Sequence, residues 1–236
     1  MSFDHAPLNC EHCSKRFTSV FCKVEHDSLE QINYEKICTP YKKGQIIFHE
    51  GTRPHGIYCV NYGKIKLSKI GEDGKEQILR LVKAGDLLGY RALLSQDKYS
   101  ASAIALEDSG VCFIPKELFM GILQKDGMLS MEIMKLLSDD LRKAEMSITH
   151  LAQKPVRERL AEALLFIKET YGYEEDNQTI NLRLSREEIA NLVGTATETV
   201  IRLLSDLKSE GAISLDGKKI KILSLSKLVH IANIDD

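Results

Sequence analysis

The stretch LSREEIANLVGTATETVIRLLSDLKSEGAISLDGKKIKIL, residues 184 to 223, constrains the fold more than any other part of the chain. Ser185 with Glu188 has the spacing of a capping box, and Thr195 with Glu198 repeats it ten residues on. Two helices are therefore predicted to start there, the first stopped after about two turns by Gly194, which is the pattern of a helix-turn-helix. In the second helix Val200, Leu203, Leu204 and Leu207 form the apolar stripe, and Thr197, Glu198, Ile201, Arg202 and Ser205 fall on the opposite face. Gly211 supplies the stop. Asp216-Gly217, between alternating segments, predicts a hairpin that would form the wing of a winged helix.

That arrangement has a chemistry. A major groove admits one helix, and side chains near its N-terminus reach the base edges. Glu198 can accept from a cytosine amino group, Arg202 can donate two bonds to guanine O6 and N7, and Ile201 offers apolar contact to a thymine methyl. Arg186, Thr195, Lys218 and Lys219, with the positive helix N-terminus, are the expected phosphate contacts. The competing reading is a protein-interaction domain in which Glu198 and Arg202 make a surface ion pair worth a few tenths of a kcal/mol. A formal net charge of -2 exerts no global pull on nucleic acid, so DNA binding has to rest on this local pattern.

Upstream, glycines punctuate short alternating segments between Tyr41 and Pro115, as in KIKLSKI-GEDG-KEQILRLV. Strands at that spacing predict a small jelly-roll barrel. After Pro115 the period becomes helical. Met134, Leu137, Leu141, Ala144, Ile148 and Leu151 recur at intervals of 3 and 4, the seam of a coiled coil, which predicts a parallel homodimer; packing against the barrel is the alternative. Lys154-Pro155 then breaks the helix as a hinge.

The predicted fold is α+β: an N-terminal cysteine-containing segment over 1–22, a sensor barrel over 23–125, a dimerisation helix and hinge over 126–154, and a winged-helix DNA-binding domain over 155–236. A chain of 236 residues, 43% hydrophobic and 28% charged, has enough apolar material for two cores. The N-terminus lacks a signal-peptide pattern and no apolar run approaches the roughly 20 residues of a spanning helix, so a cytoplasmic protein without membrane association is expected.

The opening NCEHCSKRFTSVFC crowds Cys10, Cys13 and Cys22 into an irregular segment. Six cysteines do not make a disulfide scaffold in a chain this long. Zinc, a redox dithiol and plain buried thiols all suit a C-x2-C pair. Cys38 and Cys59 lie in strand-like segments and are expected in the core. No strand-helix setting of a thioredoxin type surrounds Cys10 and Cys13, and no nucleophile-base constellation occurs elsewhere, so an enzyme is not expected. Without the winged helix, the chain would read as an effector-binding regulatory module.

Barrel, long helix, proline hinge and winged helix, in that order, resemble the Crp/Fnr family of bacterial transcription regulators. The motifs that carry the resemblance are YKKGQIIFHEG, GIYCVNYGKIKLSKIGEDGKEQIL, KAGDLLGY and LSREEIANLVGTATETVIRLL. It implies a homodimer on a two-fold-related site in double-stranded DNA and contacts with RNA polymerase. Glu198 and Arg202 match the Glu and Arg with which the family reads its half-site, whereas Ile201 replaces a Ser of the oxygen-responsive members and Thr197 an Arg of the cyclic-AMP receptors.

The resemblance also bears on the input. Where cyclic-AMP receptors carry a ribose-binding Glu and a phosphate-binding Arg-Ser pair, this chain has Tyr90 and Tyr99-Ser100, so cyclic AMP is not expected to bind; Arg91, the candidate substitute, lies one residue beyond the missing Glu. Fnr-like members hold a [4Fe-4S] cluster on three N-terminal cysteines and a fourth before the dimer helix. SGVCFIP puts Cys112 at that fourth position, which implies a set of Cys10, Cys13, Cys22 and Cys112. The C-x2-C-x8-C spacing is looser than the family's. A small-molecule effector or a haem-bound gas are the cluster-free inputs, and His49 and His55 are expected to be solvated.

Overall fold

The computed structural model describes residues 9–234. Residues 1–8 of the expected N-terminal segment and the last two of the expected DNA-binding domain lie outside them. The chain divides into two compact units: residues up to Ile70 with Leu79–Arg142, and Gly71–Ile78 with the chain from Lys143 onward.

In the first unit, two short 3-10 turns, Arg16–Thr18 and Val20–Lys23, lead into α1 (His26–Glu35). Eight strands follow: β1 (Ile37–Tyr41), β2 (Ile46–Phe48), β3 (Gly56–Tyr62), β4 (Lys64–Ile70), β5 (Glu76–Lys83, whose first three residues are assigned to the second unit), β6 (Leu87–Leu88), β7 (Ser102–Ala105) and β8 (Ser109–Pro115). They form two four-stranded sheets, β1-β8-β3-β6 and β2-β7-β4-β5, the jelly-roll expected from the glycine-punctuated sequence. β4 and β5 are neighbours joined through Gly71–Gly74, as the GEDG loop predicts. Gly63 and Gly110 are required at close approaches: a Cβ would lie 2.1 Å from the Ser109 hydroxyl at the first and 2.2 Å from the Tyr62 ring at the second.

The barrel interior is filled by Phe48, Val60, Ile65, Val82, Leu88 and Tyr99. A second cluster lies under α1, α2 (Tyr90–Leu94), α3 (Lys116–Lys125) and the start of α4 (Gly127–Gln153), with Leu29, Ile32, Ile57, Phe119, Leu129 and Ile133 buried together. Burial of each such aliphatic or aromatic side chain contributes about 2 kcal/mol against the ordering entropy of the chain.

α4 runs unbroken for 27 residues and stops at Gln153; Pro155 caps the next helix, α5 (Val156–Tyr171), so the predicted hinge falls at the observed break. Of the predicted seam, Met134, Leu141, Ala144, Ile148 and Leu151 are exposed. Leu137 is half-buried and packs on the cluster beneath α1 and α3, so the barrel unit takes that one position.

In the second unit, α5 packs Leu160, Ala161, Leu164 and Ile167 inward. α6 (Arg186–Val193), α7 (Thr197–Ser209), the hairpin β9 (Ile213–Asp216) and β10 (Lys219–Ile222), and α8 (Leu225–Ala232) complete a winged helix. No helix among the described residues is long and apolar enough to cross a membrane.

Candidate nucleic-acid interface and cysteine-lined cavity

α6 starts as the sequence predicts. The Ser185 hydroxyl accepts from the Glu188 backbone N–H at 3.0 Å and the Glu188 carboxylate accepts from the Ser185 N–H at 2.7 Å, a complete capping box. Gly194 ends the helix at φ +73°, a conformation that favours glycine. The second predicted capping box does not form. The Thr195 N–H is spent on the Ala190 carbonyl, 3.1 Å away, the chain then extends through Ala196, and the first helical residue is Thr197. Ala196 occupies the cap position without a side-chain acceptor, which leaves the first-turn N–H groups of α7 open to an anion.

The faces of α7 divide as expected. Val200, Leu203, Leu204 and Leu207 are buried. Glu198, Ile201, Arg202 and Ser205 are exposed, and Thr197 is half-buried. Glu198 and Arg202 form no ion pair with one another or with any other described residue. Their charges remain available, which removes the basis for a mere surface pair.

The expected phosphate contacts are redistributed. β9 and β10 pair Asp216 with Lys219 across a two-residue tip, with Gly217 at φ +54° and Lys218 exposed. Lys219 is turned to Glu174 (3.4 Å), and Lys221 to Asp176 (3.6 Å), in the acidic loop after α5. The hydrogen bonds that Asp176 accepts from Thr179 and Gln178 hold its carboxyl well below the usual range and fix that loop beside the wing. Arg186 donates from one terminal nitrogen to the Gly217 carbonyl at 2.9 Å, bracing the wing. Lys218 is thus the outward cation of the hairpin tip, while Lys219 and Arg186 hold protein.

In the first unit the cysteines converge, but not as the predicted set of four. Cys112 on β8 lies opposite Cys38 on β1 and opposite Cys59 on β3, so three cysteines form one row across the sheet. Cys38 and Cys112 are joined as a disulfide. Above them, Cys10, Cys13, Cys59 and Cys112 line one cavity of about 50 Å³. Cys22, in the second 3-10 turn, is not part of that lining, although its neighbours Ser19 and Phe21 are. Cys59, expected in the core, does pack against the buried cluster beneath α1 and α3 and is also a wall of the cavity, while Cys38, expected there too, is half-buried and the bonded partner of Cys112.

The Cys10 backbone N–H donates to Asn33 at 3.0 Å, and the Cys13 thiol donates to Asn61 at 3.5 Å, two residues along β3 from Cys59. Burial pushes the Cys10 thiol up against the opposing pull of Lys36; burial, then the neighbouring Cys13 and Cys10, pushes Cys59 up to about 12. Lys15, Arg16 and Lys36 border the cavity, and no carboxylate does among the described residues. Soft thiol donors ringed by cations suit a thiolate-bound iron-sulfur group, whose net charge is negative, once Cys112 is released from Cys38.

Two family descriptions match, a cyclic nucleotide-binding domain over residues 38–126 and a Crp-like helix-turn-helix domain over 158–231. The fumarate and nitrate reduction regulatory protein of Vibrio cholerae is 32% identical over 234 residues, 96% of this chain and 91% of its own. The chain belongs to the Crp/Fnr family of transcription regulators. The transcriptional activator protein anr of Pseudomonas aeruginosa is also 32% identical, over 87% of this chain and 84% of its own. A solved Crp/Fnr-family transcriptional regulator from Thermus thermophilus superposes with a TM-score of 0.72 at 28% identity, covering 85% of this chain and all of that one. The chain is accordingly a DNA-binding transcription regulator of the Crp/Fnr type and not an enzyme.

Within this Crp/Fnr barrel, the two tyrosines singled out by the sequence are structural. Tyr99 is buried and stacks on Phe48 with ring centroids 3.9 Å apart. Tyr90 is 2% exposed and its hydroxyl is bonded to Asp140 and Arg80. Arg91 is exposed, as are His49 and His55.

Proposed function

We propose that this regulator acts as a homodimer on a two-fold-related promoter site, in the cytoplasm, and that its DNA affinity is set by an oxygen- or redox-sensitive group at the cysteine-lined cavity. The exposed and unpaired Glu198 and Arg202, one helical turn apart on α7, carry the DNA reading. The exposed rows Met134, Leu141, Ile148 and Ala144, Leu151 support the dimer, since such heptad-spaced apolar residues need a second helix. Two copies joined there would present two α7 helices to half-sites about one DNA turn apart, with promoter control through RNA polymerase.

For the input, a [4Fe-4S] group bound at the cavity would supply oxygen-labile iron-thiolate bonds. The residues of this chain that would hold it include Cys10 and Cys13, which arrive on the turn that Asn33 and Asn61 position, and the nearby cations would offset thiolate charge. Cyclic AMP is not the signal in this reading. The barrel interior is occupied by the Tyr99–Phe48 stack, and Tyr90 is committed to Asp140, so neither position offers a group for a nucleotide's ribose or phosphate.

Footprinting of promoter fragments under anaerobic and aerobic conditions tests this. Protection of a two-fold site that weakens on exposure to air supports it; protection unaffected by air and by iron removal would reject the redox input while leaving the DNA reading intact.

A further inference from the structure

Resting on the reading of the cavity as an iron-sulfur input, we infer that Cys59, not Cys22, completes the ligand set with Cys10, Cys13 and Cys112, and that Cys38 competes for Cys112 by forming the disulfide. Three observations converge. Cys59 and Cys112 are direct neighbours in the β3–β8 register, so both side chains leave the same face of the sheet. Both line the cavity that Cys10 and Cys13 also line, whereas Cys22 does not. Cys13 is anchored by its thiol to Asn61, on the strand that carries Cys59.

Cys112 therefore has two alternative partners. On one side stands Cys38, to which it is bonded; on the other stands the cavity with three free thiols, Cys10, Cys13 and Cys59. With the disulfide closed the cavity offers three thiols, and with it open it offers four, the number that a cluster of this type takes. A small thiol such as glutathione opens it in two steps. Its thiolate attacks the Cys38 sulfur, breaking the Cys38–Cys112 bond, forming a mixed disulfide at Cys38 and releasing the Cys112 thiolate. A second small-thiol thiolate then attacks the small-molecule sulfur of that mixed disulfide and displaces Cys38. The protein gains two electrons and two protons overall, and two small thiols become one small disulfide; the reverse exchange closes the switch.

Iron and sulfide content after anaerobic reconstitution tests the assignment, on protein with and without prior thiol reduction. The reduced wild type and Cys22→Ser should load equally, Cys59→Ser should lose its iron, and Cys38→Ser should load without prior reduction. In loaded wild-type protein, alkylation with iodoacetamide read by mass spectrometry should mark Cys22 and spare Cys59, a readout that needs no variant to fold. Loss of iron in Cys22→Ser with retention in Cys59→Ser, or alkylation of Cys59 in the loaded protein, overturns the ligand assignment. Equal loading of the wild type with and without reduction overturns the role of Cys38. A reduced wild type that takes up no iron overturns the iron-sulfur reading itself, a separate result from failure of the assignment.

Discussion

The Tyr90 hydroxyl donates to the Asp140 carboxylate, and the Arg80 guanidinium donates to the same oxygen at 3.0 Å and to the Tyr90 oxygen at 3.2 Å. One residue of the barrel strands, one of α2 and one of the long helix α4 are thereby locked in a largely buried triad. Burial pushes the Tyr90 phenol up to about 12, so it stays a donor throughout the working pH range.

The triad ties Asp140 of α4 to β5 and α2 within the first unit. Asp140→Ala strands the Arg80 charge, which is only 24% exposed, and should cost about 2 kcal/mol of stability; Tyr90→Phe removes one bond and should cost about 1 kcal/mol. Urea denaturation of the two variants checks the order. Equal stability of wild type and Asp140→Ala would contradict a structural role for the triad.

The α7 face predicts two kinds of DNA defect. Arg202→Ala should cost about 1–3 kcal/mol on the preferred site and relax its base preference. Lys218→Ala, at the wing tip, should weaken binding to all sequences alike and reduce the salt slope by about 1. Fluorescence anisotropy on matched and mutated duplexes separates them.

Capping provides a check internal to one domain. Ser185→Ala breaks a formed box and should destabilise the winged helix by about 1 kcal/mol, whereas Thr195→Ala removes a side chain that caps nothing and should be nearly neutral. Thermal unfolding followed by circular dichroism distinguishes the two. A loss at Thr195 as large as at Ser185 would mean that the second helix starts one residue earlier.

How far the sequence revealed this depended on the range of the interaction. Ser185 with Glu188, Gly194, the Asp216-Gly217 turn and the stripe from Val200 to Leu207 are local patterns, and all took the predicted form. The Thr195 box failed because a competing backbone bond to Ala190 claimed its N–H first. The partners that Lys219 and Arg186 find within the protein, Glu174 and the Gly217 carbonyl, could not be read locally because they come from other segments. The Cys38–Cys112–Cys59 row was illegible for the same reason: strand register between distant segments is a tertiary property that no spacing encodes.

The apolar rows of α4 make the oligomeric state sensitive to single charges. Leu141→Glu or Ile148→Glu places like charges in the proposed seam and should convert dimer to monomer in analytical ultracentrifugation. Each should also lower DNA affinity by more than tenfold, since one half-site contact is lost. A monomeric wild type at micromolar concentration would refute the seam.

The most direct test of the account is titration of a two-fold promoter duplex with reduced, iron-loaded protein across a range of salt concentrations. Two chains per duplex, a log affinity that falls linearly with log salt, and loss of site preference in Arg202→Ala are expected. Absence of binding to any promoter fragment, or saturation at one chain per duplex with Arg202→Ala unchanged, would contradict it.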